Sequence, residues 1–196
     1  MRRAWGLATL LFALLLSGCW WEGPAFYQPD PANPGPFEPG PYKIDFLGDH
    51  KPAERTRITR ATDGTTIITD RTKPASNTEE MVFARLPLPG RTIWVAQWRS
   101  AGSVEQERSY GLVERNGNLV AMNVPLGCQG NEALVRGAGG SVSDEDTVDA
   151  DGNKVGKLTG PTCRFTDKAS LERALLAYVT AHPGFRANVR IKRIGD

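Results

Sequence analysis

Few side chains in this sequence have the types and spacing that catalysis requires. The chain has three cysteines and two histidines, so a thiol nucleophile with a histidine base is one arrangement to consider. His50 or His182 would then be the base, but neither Cys128 nor Cys163 lies in a recognisable nucleophile context. Gly-x-Ser-x-Gly and His-Glu-x-x-His motifs are absent from the sequence. We therefore expect a protein that is not an enzyme and uses no cofactor.

Carboxylates cluster in the glycine-rich stretch 129–162, which raises the question of a calcium loop. An EF-hand pattern with Gly152 in sixth place would put Thr147 first and Leu158 twelfth. Neither residue is a carboxylate ligand, so the sequence predicts no metal site. A solvated acidic loop, or an exposed hairpin that turns at Asp151-Gly152, is expected instead.

The first eighteen residues have the three parts of an export signal. Arg2 and Arg3 are followed by an uncharged, leucine-rich stretch over residues 4–16, which is too short to span a membrane stably. The stretch ends in Leu16-Ser17-Gly18-Cys19. This tetrapeptide resembles the lipobox of bacterial lipoproteins. The resemblance implies that residues 1–18 are a signal peptide and that Cys19 is acylated, for example with palmitate, and anchors the chain in membrane lipid. An ordinary secretory signal and an uncleaved anchor are the alternatives.

The residue after Cys19 bears on location. In lipoproteins of enteric bacteria, aspartate there favours retention in the inner membrane, and this chain has Trp20. The resemblance therefore implies an anchor in the outer membrane that faces the periplasm. Trp20 and Trp21 either seat the start of the mature chain at the membrane–water interface, where indole rings are enriched, or have no set position.

Two cysteines, Cys128 and Cys163, remain once Cys19 is acylated. An exported protein meets an oxidising compartment, so the remaining pair is expected to form a disulfide. The bond would close a loop of about 35 residues and contribute roughly 3–4 kcal/mol to stability.

Residues 22–41 contain seven of the fourteen prolines. Proline lacks an N–H and restricts the residue before it, so this segment is expected to be extended rather than helical or part of a sheet. We interpret residues 19–41 as the acylated cysteine and a stiff tether, followed by a single globular domain over residues 42–196. A proline-rich ligand with Pro31 and Pro34 in a P-x-x-P motif is the alternative.

From Tyr42 onward, short runs typical of strands alternate with turn signals. Asp63-Gly64 and Asn116-Gly117 predict two-residue type I′ hairpins, and Pro89-Gly90 predicts a type II turn. Together they predict a meander of about seven antiparallel strands.

The two hairpins differ in their expected surroundings. A two-residue turn at Asn116-Gly117 would pair Val113 with Val120 and leave both faces largely apolar, as in a hairpin that is covered on both sides. The turn at Asp63-Gly64 would pair Arg60 with Ile67, and the resulting polar surface predicts a place near a sheet edge.

Trp94 and Trp98 are two alternations apart and therefore project to the same side of their strand. One interpretation makes them the floor of an apolar ligand pocket. The other makes them two large rings that fill the core, which is the usual position of buried aromatic residues.

The C-terminal region predicts a helix and a last strand. Thr166 or Asp167 caps a helix over residues 167–181, whose apolar stripe follows helical spacing, and His182-Pro183-Gly184 ends it. His182 is either a general base or, more commonly at this position, a partner for the carbonyl end of the helix. The alternating residues 186–194 predict a strand, and its Arg190 and Lys192 either contact lipid headgroups or are solvated.

These features predict an α+β fold: an antiparallel β meander, curled into a roll or partial barrel, with one C-terminal helix and a final strand. The order of elements resembles that of lipocalin-type barrels, but the Gly-x-Trp signature of that family is missing after Tyr42.

Of the 24 Lys and Arg residues, Arg2 and Arg3 precede Cys19, and the remaining 22 balance the 22 Asp and Glu residues. A neutral mature chain excludes nucleic acid as the expected partner. A non-enzymatic lipoprotein that binds another envelope protein is therefore our first hypothesis, and a carrier of a small apolar ligand is the second.

Overall fold

The computed structural model describes residues 20–47, 53–70, 78–100, 107–124, 126–143, 147–148, 154–156, 161–184 and 186–195. The predicted signal peptide, Cys19, His50 and the Asp151-Gly152 turn lie outside these residues. The predictions made for them stay predictions.

The described chain forms strands and two helices. The strands are β1 (Trp21–Gly23), β2 (Gly40–Phe46), β3 (Glu54–Arg60), β4 (Thr66–Asp70), β5 (Thr78–Arg85), β6 (Ile93–Ser100), β7 (Arg108–Asn116), β8 (Leu119–Asn123), β9 (Ser141–Ser143), β10 (Thr147–Val148), β11 (Lys154–Gly156), β12 (Thr162–Arg164) and β13 (Val189–Arg193). The helices are α1 (Glu132–Ala138) and α2 (Lys168–Ala181).

Eight antiparallel strands close into a barrel. Strands β2 to β8 form the predicted meander, each paired with the next, and β13 inserts between β8 and β2. The predicted shape and strand number therefore need correction, because the final strand is the eighth member of a closed ring rather than an addition to a seven-stranded roll. Closure removes the free edges that an open meander would leave.

Side chains fill the barrel interior. Eleven of them come from alternate positions on the barrel strands, as in small barrels generally, and Phe37 comes from the proline-rich segment. The strand residues are Tyr42, Ile58, Ile68, Met81, Phe83, Ala96, Val113, Val120, Met122, Val189 and Ile191.

A second core lies outside the barrel, under α2. The outward side chains of β6 and β7, such as Val95 and Leu112, pack there against α2 residues such as Leu171 and Leu175. Tyr110, Leu112 and Val113 are buried, so β7 is covered on both faces, as predicted. The whole predicted stripe of α2 is buried, and the Asp167 side chain accepts a hydrogen bond from the Ser170 backbone N–H at 2.8 Å.

The predicted register of the second hairpin is off by two residues. Asn116 pairs with Leu119, so the turn consists of Gly117 and Asn118, and Val113 lies opposite Met122 rather than Val120. Gly117 has a φ of 60°, as the first central position of a type II′ turn requires. Because side chains alternate with period two, the slip leaves each residue on its predicted face.

The first hairpin is off by one residue, which has a larger consequence. Arg60 pairs with Thr66, and the loop has three residues, Thr62 to Gly64, with Gly64 at a φ of 96°. A one-residue slip exchanges the faces of one strand relative to the other, so Ile58 and Ile68 now share the interior face. The predicted edge position is wrong, since β3 and β4 are inner members of a closed ring.

The glycine-rich stretch 129–162 contains structure that the sequence reading missed. Helix α1 lies there and ends at Gly139, whose φ of 95° is a left-handed cap. Asn131-Glu132 at its start and Gly139-Gly140 at its end are standard boundary signals that the glycine content obscured. Strands β10 and β11, by contrast, pair antiparallel as the predicted hairpin alternative requires, and the turn predicted at Asp151-Gly152 lies outside the described residues.

The proline-rich segment differs most from its prediction as a tether. Residues 20–41 lie against the barrel, with Trp21, Tyr27 and Phe37 buried and β1 paired with both β7 and β12. Aromatic rings attach this segment to the domain, so the folded unit includes residues 20–41 as well as the domain predicted from Tyr42 onward.

Candidate functional site

Trp20 and Trp21, the first described residues, are hydrogen-bonded to the fold. Trp20 forms a β-bridge with Gly127, and its carbonyl accepts a hydrogen bond from the Cys163 N–H at 3.0 Å. The Trp21 N–H donates to the Leu126 carbonyl at 3.1 Å. The first two described residues are thus bonded to two separate segments of the domain.

Those two segments are joined by the predicted disulfide. Cys128 and Cys163 are bonded, with their Cα atoms 5.3 Å apart, and both are fully buried. Because both sulfurs are in the disulfide, neither Cys128 nor Cys163 is the reactive thiol of the alternative interpretation. The bond therefore reinforces the place where the N-terminus joins the fold.

The two N-terminal tryptophans have different surroundings. The Trp21 ring is fully buried against Phe165 and Tyr178, and its indole N–H donates to the Gly127 carbonyl at 3.1 Å. It is therefore a core residue and not a ring at the membrane interface. Trp20 is half-buried.

Residues 24–27 are bound by side chains of the barrel wall. The Gln97 amide, 3% exposed, pairs with the backbone of Tyr27: its oxygen accepts from the Tyr27 N–H at 3.0 Å, and its nitrogen donates to the Tyr27 carbonyl at 2.9 Å. The Tyr110 hydroxyl donates to the Pro24 carbonyl. These bonds satisfy the backbone of an irregular segment in a buried place, where unpaired groups are costly.

Both tyrosines in this cluster have a raised pKa. Burial is the main cause for each, and the Glu172 carboxylate, 3.3 Å from the Tyr27 hydroxyl, adds to the effect on the Tyr27 pKa. Both phenols remain protonated donors at neutral pH, which fits a role in binding the segment rather than in acid–base chemistry.

Phe37 plugs one end of the barrel. Its ring is 1% exposed and lies edge-on to Tyr42 and Phe83, with ring centres 5.8 and 5.6 Å away. Gly35 follows the same surface so closely that a Cβ atom there would meet the Phe83 ring. Residues 34–39 therefore close the barrel at this end.

Three arginines bind the backbone of this plug. Arg115 donates to the Pro36 carbonyl at 3.1 Å, Arg60 donates to the Phe37 carbonyl at 2.5 Å, and Arg193 donates to the Pro39 carbonyl at 3.2 Å. Proline cannot donate, so this tract exposes carbonyls without matching N–H groups, and guanidinium donors complement them.

The structure places Trp94 and Trp98 on the same face of β6, partly buried against the interior cluster. They line different crevices. Trp94 lines a surface crevice of about 750 Å³ under the N-terminal segment, with Phe26 and Phe83. Trp98 lines a separate crevice of about 370 Å³, beside the ion pair of Arg99 and Glu80.

His182 lies at the C-terminal end of α2. Its Nδ1 atom is 2.9 Å from the Tyr178 carbonyl, and its ring stacks on the Tyr178 ring. This is the predicted position at the carbonyl end of the helix.

The sequence reading missed Gln97, Tyr110 and Phe37. Two signals were available. Gln97 is a polar residue in a strand whose neighbours are apolar on both faces, and Phe26, Tyr27 and Phe37 are aromatic residues in a tract that a solvated spacer would fill with polar ones.

Within the described ranges, no group of three or more His, Cys, Asp and Glu side chains lies close enough to bind a metal ion. None of the helices formed by these ranges has the length and apolar character to cross a membrane. No protein family model, characterised protein or solved structure gives a significant match to this chain.

Proposed function

We propose that this chain is a lipoprotein of the bacterial envelope, anchored through acyl chains on Cys19 in the outer membrane, where it faces the periplasm. Its barrel acts as a non-enzymatic module that binds another envelope protein. The observation that carries the anchoring proposal is the resemblance of Leu16-Ser17-Gly18-Cys19 to the lipobox. The bonding of Trp20 and Trp21 to the segments of Cys128 and Cys163 joins the residues after the proposed anchor to the domain. Two or more acyl chains give stable anchoring, so lipid on residue 19 would keep the domain next to the bilayer.

Two further features support this proposal. A disulfide is typical of exported proteins, which fits the export signal. The barrel interior is filled by side chains, including Phe37 from the N-terminal segment, which leaves the outer surfaces for recognition.

The anchoring proposal is tested by labelling with palmitate in cells. The unaltered protein should incorporate label and remain with membranes, and Cys19→Ala should do neither. A Cys128→Ala, Cys163→Ala double variant is the matched control, because it removes the other two cysteines and should keep the label. Label that persists in Cys19→Ala would overturn the proposal.

A second candidate function, carriage of a small apolar ligand, is favoured by the crevice at Trp94. Its volume of about 750 Å³ is in the range of small-molecule sites, and Phe26, Phe83 and Trp94 form an apolar part of its lining beside polar residues such as Asp30 and Lys168. Titration with a fluorescent anthroyloxy fatty acid tests it. Binding that is lost in Trp94→Ala and kept in Trp98→Ala would support carriage, and equal behaviour of the two variants would exclude this crevice as the site.

A further inference from the structure

One outer face of the barrel carries a row of cations. Lys43 on β2 lies directly opposite Lys192 on β13 and directly opposite Arg55 on β3. Arg57 follows two residues along β3 and points the same way. Three neighbouring strands therefore present positive side chains to the same side.

These cations are exposed and largely unbalanced. Lys43 pairs with Asp45 at 3.3 Å. Of the carboxylates in the described chain, none forms an ion pair with Arg55, Arg57 or Lys192. Like charges directly opposite each other on a sheet destabilise the fold, and no described carboxylate offsets this at Arg55, Arg57 or Lys192.

A groove of about 600 Å³ runs along the same face. Its lining includes three of the cations and no carboxylate: Pro41, Lys43, Ala53, Arg55, Arg57, Ile194 and Gly195. An anion in this groove would relieve the repulsion between the cations.

The spacing of the cations matches an extended chain better than a single phosphate group. Arg55 and Arg57 are about 6.8 Å apart along the strand, the distance between alternate side chains of an extended peptide, and neighbouring strands add about 4.8 Å each. The barrel is closed, so recognition here uses side chains rather than pairing at a strand edge.

The position of the face separates it from the membrane anchor. The N-terminal strand β1 pairs with β7, and β3 is four strands from β7 in either direction around the ring. Arg55 and Arg57 therefore lie across the barrel from the strand that follows Cys19.

We propose that this basic face, formed by Lys43, Arg55, Arg57 and Lys192, binds an acidic segment of a partner protein in extended conformation, with alternate carboxylates on the cations. The proposal rests on the protein-binding function given above and adds the chemistry of the partner.

The test uses the full acylated protein in nonionic detergent and a fluorescein-labelled peptide of alternating glutamate and serine. The triple variant Lys43→Gln, Arg55→Gln, Arg57→Gln should bind the peptide about tenfold more weakly, as the loss of three exposed ion pairs implies. The matched control is Arg85→Gln, Arg136→Gln, Arg186→Gln, which makes the same change in net charge at exposed arginines elsewhere and should bind like the unaltered protein.

Three results would overturn the proposal: equal weakening in both triple variants, equal binding of a peptide with glutamine in place of glutamate, or displacement of the peptide by phosphatidylglycerol added in micelles of the same detergent. Displacement would assign the face to a membrane. The unfolding midpoint of the site variant should not fall, since the change removes repulsion. Palmitate labelling is independent of these variants, so failure here leaves the anchoring proposal standing.

Discussion

The outer surface of the barrel is apolar and covered on one side, and charged and exposed on the other. On the covered side, β6 and β7 direct apolar residues such as Val95 and Leu112 into a second core under α2 and the N-terminal segment. On the bare side, β13, β2 and β3 direct charged residues such as Lys192, Lys43 and Arg55 to solvent. The barrel interior is common to both sides, so the two sides differ only in their outer surfaces. The outer surface of a barrel strand is apolar where another segment covers it and charged where it is open to solvent.

The largest effect is expected from the ring that secures the covering segment. Trp21→Ala should lower the free energy of unfolding by about 3–5 kcal/mol, because it leaves a cavity in the outer core. Trp20→Ala, one residue earlier and half-buried, should cost clearly less. Urea unfolding measures both, and a negligible cost for Trp21→Ala would show that the N-terminal strand is not part of the cooperative unit.

Two leucines compare the covered surface with an open one. Leu112→Ala on β7 should cost about 2–5 kcal/mol, since that side chain is fully buried under the second core. Leu119→Ala, outward on β8 and 37% exposed, should cost less than half as much. Thermal unfolding of the pair gives the difference, and a reversed order would refute the assignment of the covered side.

Gln97→Met tests how the segment is bound. The substitution keeps the volume but removes both hydrogen bonds to the Tyr27 backbone, and about 1–3 kcal/mol should be lost. Limited proteolysis should then cut within residues 24–36 faster than in the unaltered protein. An unchanged rate of cutting would mean that the aromatic rings alone fix the segment.

The smallest effect is a pH dependence at the start of α2, which covers β6 and β7. Hydrogen bonds from the Ser170 N–H and hydroxyl lower the pKa of Asp167. A lowered pKa in the folded state gives stability that is present above the unfolded pKa and lost as pH falls through the folded pKa. Asp167→Asn retains a capping side chain without the charge, so its unfolding midpoint should vary less between neutral and acid pH. Identical pH profiles for the two proteins would contradict this.

The sequence predicted much of the fold because its strands and α2 are locally consistent. The meander, the stripe of α2 and the last strand follow from periodicity and turn residues. The closure of the ring by β13 did not follow, because pairing between β13 and β2 joins residues distant in sequence. The predicted register at Asp63-Gly64 was wrong for a local reason. A three-residue loop with a left-handed glycine and a two-residue turn can have the same Asp-Gly sequence.

The candidate site was less predictable than the fold. The disulfide followed from counting cysteines, and Trp94 and Trp98 share one side of their strand, as the alternation predicts. The proline-rich tract was predicted to be a tether because its proline content was given more weight than its three aromatic residues. Only its tertiary contacts with Gln97, Tyr110 and the arginines show where it binds.

The most direct test of the central proposal is the mass of the mature N-terminal peptide from the protein purified in its native membrane. The proposal predicts a chain that begins at Cys19 and carries diacylglyceryl and amide-linked acyl groups on that residue. An unmodified Cys19, or a mature chain that begins elsewhere, would contradict it.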